Sequence, residues 1–185
     1  MIALTQHQQA LKPRLEGANI NATSFLATDY LNHFNEVVML LEMAADMPEM
    51  LEDAAQWQPK SYSEHFADSG FAQADLAIEA YDHCPAAYRT PFDAQVDELN
   101  LLVLCTLEEA QAAQADASLD GSYTTGLIAA RIETMRAALA RLNGIIHGKA
   151  GDPAATSVDG TAAPPPQQPE GEGELDQDAI DALFD

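Results

Sequence analysis

Apolar residues along this chain recur every three or four positions, the period of helices, and no run alternates as a strand would. The clearest stripe, Leu26, Tyr30, Phe34, Val37, Leu41 and Ala44, predicts a helix over 21–47, capped by Thr23 or Ser24 and stopped or kinked by Pro48. A short helical extension over 49–57 ends before Pro59, and residues 60–70 read as loop with about one helical turn. A second helix is predicted over 71–84, ended by Pro85. A third starts near Pro91, a favoured first-turn proline, and runs to 115 with Phe92, Val96, Leu99, Val103, Leu107 and Ala110 on its core side. Asp120-Gly121 supplies turn chemistry before a fourth helix over 123–147. Its Ile128, Ile132, Met135, Leu139, Leu142 and Ile146 alternate spacings of four and three, the seam of a helix packed lengthwise on another. Gly148 is its natural stop.

Helices joined by short connections lie antiparallel, so the expected fold class is all-α: an elongated four-helix bundle over 1–149. The seam of the fourth helix suits a second copy equally well, which leaves a homodimer open. Past Lys149 the pattern stops. Residues 150–174 are rich in Gly, Pro, Ala, Asp, Glu and Gln, with Pro164-Pro165-Pro166 and an acidic alternation from Glu170 to Glu174. Such a segment cannot bury enough apolar surface to offset its chain entropy, so a disordered linker is expected. Pattern returns in 175–185, where Ala179, Ile180, Leu183 and Phe184 share one helical face. Asp176 can cap the turn, and Asp176 and Asp178 suit the positive end of its dipole.

Charge narrows the partners. The chain of 185 residues carries thirty Asp and Glu against eight Lys and Arg, a net −22, with no basic cluster. Nucleic acid and anionic membranes are both recognised through Lys and Arg, so neither is an expected partner, whereas a basic protein face would be attracted. The richest apolar run, Val37 to Leu41, is far below the ~20 residues that cross a bilayer. The first seven residues have neither the basic start nor the apolar core of a signal peptide, so a cytoplasmic location is expected. Cys84 and Cys105 lack metal-ligand spacing and read as buried thiols in a reducing compartment.

About ten residues are too few for a stable isolated helix, so 175–185 should fold against a groove on a partner. Burying Ile180, Leu183 and Phe184 yields ~5–9 kcal/mol gross, and ordering the segment removes ~2–5 kcal/mol. A micromolar, readily reversible contact is the result. The segment resembles the N-terminal peptide of the flagellar switch protein FliM, Leu-Ser-Gln-x-Glu-Ile-Asp-x-Leu-Leu, which binds the chemotaxis response regulator CheY. Leu175, Gln177, Ile180, Asp181 and Leu183 match, and Phe184 is an apolar replacement. Asp176 stands in place of Ser and Ala179 in place of Glu. The architecture resembles the CheY phosphatase CheZ, a helical protein with a flexible linker and a C-terminal CheY-binding helix. That resemblance implies a chemotaxis or flagellar signalling regulator whose tail captures a CheY-like response regulator and whose body stimulates its dephosphorylation. It implies no cofactor on this chain, magnesium belonging to the receiver. The alternative is the same tail docked on its own bundle.

CheZ-type enzymes use Asp and Gln one turn apart on a long helix, and no convincing Asp-x-x-x-Gln pair occurs here. The nearest substitute is on the first predicted helix, where Asp29, Asn32, His33 and Glu36 form one polar stripe beside the core stripe. Asp29 or Glu36 with Asn32 sets an acid and an amide about one turn apart, a pair that can orient water on a docked receiver. The acid-x-x-amide spacing also resembles the CheC/CheX phosphatases, whose α/β fold and further motif are missing. The stripe runs on into Met39, Leu40 and Met43, an end that calls for cover by core or partner. A solvated helix face explains the same pattern. A non-enzymatic scaffold or adaptor and a histidine-phosphotransfer bundle, with His33 as the better-placed acceptor, are the other readings. His33 and Glu36 could open a di-iron motif, but paired Glu-x-x-His motifs are missing, so no metal site is expected.

Overall fold

The computed structural model describes residues 4–149. The predicted linker over 150–174 and the peptide over 175–185, with Leu175, Gln177, Ile180, Asp181, Leu183 and Phe184, lie outside the described residues. Among the described residues the chain is all-α, with seven helices, one 3-10 turn and no strand beyond an isolated bridge between Ile20 and Ala27. No helix among them is long and apolar enough to cross a membrane.

Helix α1 (Gln6–Leu15) opens with a reciprocal cap: Thr5 Oγ1 accepts from the Gln8 N–H, and Gln8 Oε1 accepts from the Thr5 N–H. It buries Leu11 and Leu15 and packs against α5 (Ala74–Asp82). Residues 21–27, predicted helical, are an irregular turn. The Asn21 side chain accepts from the N–H groups of Thr23 and Ser24, offering the backbone a local alternative to helix. Phe25 takes a left-handed φ of 66° while its side chain is fully buried, so packing outweighs the local strain. Ser24 Oγ donates to the Ile146 carbonyl, tying this turn to the end of the last helix.

A 3-10 turn (Thr28–Leu31) leads directly into α2 (Asn32–Ala44), and the stripe from Leu26 through Ala44 is buried as its spacing predicts. After α3 (Met50–Ala54), residues read as loop fold into α4 (Tyr62–Asp68), capped reciprocally by Ser61 and Glu64. Helix α6 (Ala86–Ala115) starts before Pro91, not at it, and accepts the loss of one backbone bond in its second turn. It lies antiparallel to α7 (Gly121–Ile146), with Arg131 paired to Glu109 and Arg141 bonded to Gln95. The α7 seam is turned inward: Ile128, Ile132, Met135, Leu142 and Ile146 are buried, against α6 most extensively and against α2. Arg136 of α7 reaches Glu42 of α2 at 2.6 Å.

The core is continuous, with an aromatic cluster where the 3-10 turn, α4, α5 and α6 meet. Tyr62 stacks on Tyr81 at 4.3 Å and lies 5.2 Å from Tyr30, while Phe92 closes the group. Buried hydroxyls are satisfied: Tyr62 Oη accepts from the Ala27 N–H and Tyr30 Oη donates to the Lys60 carbonyl, both at 2.8 Å. These two bonds fix the segment entering α4. The cysteines differ from the buried pair expected. Cys84 is half-buried with its thiol donating to the Ser24 carbonyl, but Cys105 is exposed on α6.

Candidate functional site

An open cleft of about 790 Å3 lies between the N-terminal half of α2, the segment from α3 to residue 60, and α4. Asn32, His33, Glu36, Lys60, His65 and Asp68 line it together with a further carboxylate, Asp53, and Trp57 and Leu40 supply apolar wall. The α2 register decides what each side chain does. Asn32 and Glu36 are one turn apart and exposed at the rim, whereas His33 points into the wall and is only 7% exposed.

His33 is a structural hub. Its ring stacks on Trp57 at 4.8 Å, its carbonyl accepts from the Trp57 indole N–H at 2.9 Å, and its Nε2 accepts from the Lys60 N–H at 3.2 Å. An accepting Nε2 requires the neutral imidazole. Burial, followed by the nearby His65 and Lys60, pushes its pKa down to about 4. His65, with its ring 6.0 Å from that of His33, is also shifted downward, chiefly by burial; the carbonyl and carboxylate of Asp29 oppose the shift. A buried Nε2 that already holds a backbone N–H is poorly placed to accept a phosphoryl group, which counts against His33 as a phosphotransfer residue.

Lys60 is aimed by its own backbone, which is held at both ends: the N–H by His33 and the carbonyl by Tyr30. Its ammonium pairs with Asp68 at 2.9 Å, and that hydrogen bond, with attraction from Asp68, Glu36 and Glu64, raises its pKa. Asp68 is correspondingly held below the usual carboxylate range by Lys60. Glu36 therefore faces a cleft whose ammonium is already engaged by Asp68, beside a further carboxylate at Asp53 and two histidines whose pKa values are pushed down by burial.

Of the three residues singled out as a catalytic set, the structure brings Asn32 and Glu36 together and sets Asp29 apart. Asp29 lies in the 3-10 turn, half-buried, with Oδ2 accepting from the Asn19 side-chain amide at 3.0 Å, and it does not line the cleft. The 3-10 path turns its side chain off the α2 rim. Lys60, His65, Asp68 and Trp57 were not anticipated as cleft residues. Ser61-x-x-Glu64, an N-terminal helix signature, was the signal that could have placed α4 and hence His65 and Asp68. Trp57 meets His33 across 24 positions, a contact no local pattern encodes.

Chemically, the rim offers a carboxylate and a carboxamide one turn apart, able to orient a water or bond a docked surface. Among the described residues no group of three or more His, Cys, Asp or Glu is arranged to hold a metal ion. Compared with protein-family models, curated proteins and solved structures, the chain matches none of them.

Proposed function

We propose that this protein is a partner of a CheY-like response regulator, holding the receiver through its C-terminal peptide and presenting the Asn32–Glu36 rim to the receiver's aspartyl phosphate. The observation that carries the reading is the pairing itself: an exposed amide and an exposed carboxylate one turn apart, at the mouth of an open cleft. The likeness of Leu175, Gln177, Ile180, Asp181, Leu183 and Phe184 to the FliM peptide supplies the partner class. In this proposal residues 150–174 form an acidic tether, keeping the peptide within ~25–30 Å of its anchor so that capture raises the local concentration of receiver.

The chemistry asked of the body is modest. Water attacks phosphorus in line, the bond from phosphorus to the receiver's aspartate oxygen breaks, and inorganic phosphate leaves. The Asn32 amide orients that water, and Glu36 engages the receiver's active-site lysine. A homodimer would have to use a face other than the α7 seam, which is occupied within the chain.

Two measurements test the reading. Full-length chain is titrated into CheY-like receivers with and without a phosphoryl mimic, beside an Ile180→Ala/Phe184→Ala control. Mimic-dependent micromolar binding, lost in the control, is the expected result. Phosphate loss from the phosphorylated receiver is then followed with wild type and Asn32→Ala. Hydrolysis that falls in the variant while binding is retained supports the catalytic rim; hydrolysis at the receiver's own rate with wild type leaves a scaffold.

A further inference from the structure

The outer face of α2 continues beyond the cleft rim as an apolar strip. Glu36, Met39, Met43 and Asp46 follow at spacings of three, four and three, so they lie in one row, and Met47 adjoins Met43 one turn on. Met39, Met43 and Met47 are 52%, 36% and 39% exposed. The N–H groups of Asp46 and Met47 both bond the Met43 carbonyl, so the helical path persists past Ala44 and the row is unbroken. Phe34, Val37 and Leu41 on the opposite face already anchor α2 in the core. The fold does not require three exposed methionines. Their unbranched thioether chains reshape to fit a partner, a property that suits binding surfaces.

Carboxylates frame the strip. Glu36 and Asp46 stand at its ends, Glu42 on its flank and Glu49 just beyond. Arg136 pairs with Glu42, but among the described residues Glu36, Asp46 and Glu49 are in no ion pair. An apolar strip edged by unpaired carboxylates is complementary to an apolar strip edged by Lys or Arg. Two nearer occupants are disfavoured by charge. The chain beyond residue 149 carries nine acidic residues and no basic one. A second copy would set the same carboxylates against each other about a two-fold axis, in a body with twenty-one acidic and eight basic residues.

We propose that the outer face of α2 docks an amphipathic helix of a partner protein, its apolar stripe seated on Met39, Met43 and Met47 and its flanking Lys or Arg on Glu36, Asp46 and Glu49. This surface shares Glu36 with the rim assigned above to the receiver, but Met39, Met43 and Met47 belong to it alone, and it stands whether or not the receiver reading holds.

The test uses the full-length chain with methyl-labelled methionine and a helical Leu/Lys peptide of about 18 residues, long enough to form helix on contact. A scrambled peptide of the same composition controls for bulk attraction to an acidic protein. The expected result is methyl shifts at Met39, Met43 and Met47 with none at Met135, which is fully buried. Affinity falls about tenfold in Met39→Gln/Met43→Gln, a change that leaves the charge untouched. The Met135 resonance reports whether that variant is folded. Equal binding by the variant, equal binding by the scrambled peptide, shifts elsewhere, or self-association of the free chain through these same methyls would each overturn the proposal.

Discussion

Replacing His33 by Gln should flatten the acid side of the stability profile, because His33 is kept neutral in the fold. The native pKa of about 4 lies below the ordinary value of 6.5, so between these pH values the unfolded chain binds a proton the folded chain refuses. Stability from this residue is therefore complete above about pH 6.5 and lost as pH falls towards 4. Integrating between pH 7 and pH 5 gives a loss of about 2 kcal/mol. Solvent screens little of this cost, because His33 is only 7% exposed and its Nε2 already accepts the Lys60 N–H. Asp68, Glu64, Asp116 and Asp120, all with lowered pKa, stabilise above the unfolded carboxylate range and lose that contribution only further into acid, below this window. The overall negative charge acts on both proteins and cancels in the comparison, whereas His65, whose ring is 6.0 Å from that of His33, keeps its own downward shift in the variant and leaves a residual acid loss there. The variant should be weaker at pH 7, since glutamine replaces the stack on Trp57, but its urea midpoint should move less between pH 7 and pH 5. Parallel curves for the two proteins would refute the reasoning.

Tyr62→Phe keeps the ring contacts but strands the buried Ala27 N–H, so urea denaturation should register a loss of about 1–3 kcal/mol; a loss below about 0.5 kcal/mol would mean that N–H finds another partner. Asp29→Ala should leave receiver dephosphorylation as in wild type, in contrast to Asn32→Ala, because Asp29 is engaged by Asn19 away from the cleft; an equal loss in both assays would return Asp29 to the site. A maleimide at neutral pH should label Cys105 rapidly and Cys84 slowly, since burial raises the Cys84 thiol to about 12, and mass spectrometry of the labelled peptides decides it.

The elements legible in the sequence were those whose evidence is a long local stripe. Val96, Leu99, Val103 and Leu107 on α6, and Ile128, Ile132 and Met135 on α7, are buried because one face of a long helix has no alternative to burial. Short helices escaped for a different reason. Over seven to ten residues, α1 and α4 give too few apolar repeats to stand out, and their beginnings are written instead in the caps Thr5-x-x-Gln8 and Ser61-x-x-Glu64. The start of α2 was displaced because Asn21 has two ways to use its amide, and the turn it forms with Thr23 and Ser24 is stabilised by the end of α7 through Ser24.

The cleft divides along the same line. Placing Asn32 and Glu36 on one face needs only the helical period, and that survives. Distinguishing an exposed His33 from a buried one needs Trp57, and Trp57 reaches it only because Tyr30 and His33 together hold the backbone of Lys60. The same residue, Lys60, sends its ammonium to Asp68 across the mouth of the cleft. One short segment thus buries the histidine, neutralises the Asp68 carboxylate and leaves Glu36, with Asp53 on the opposite wall, as an acid still facing outward. The division of labour along α2, structural at His33 and available at Asn32 and Glu36, is a consequence of where residues 57–60 are pinned.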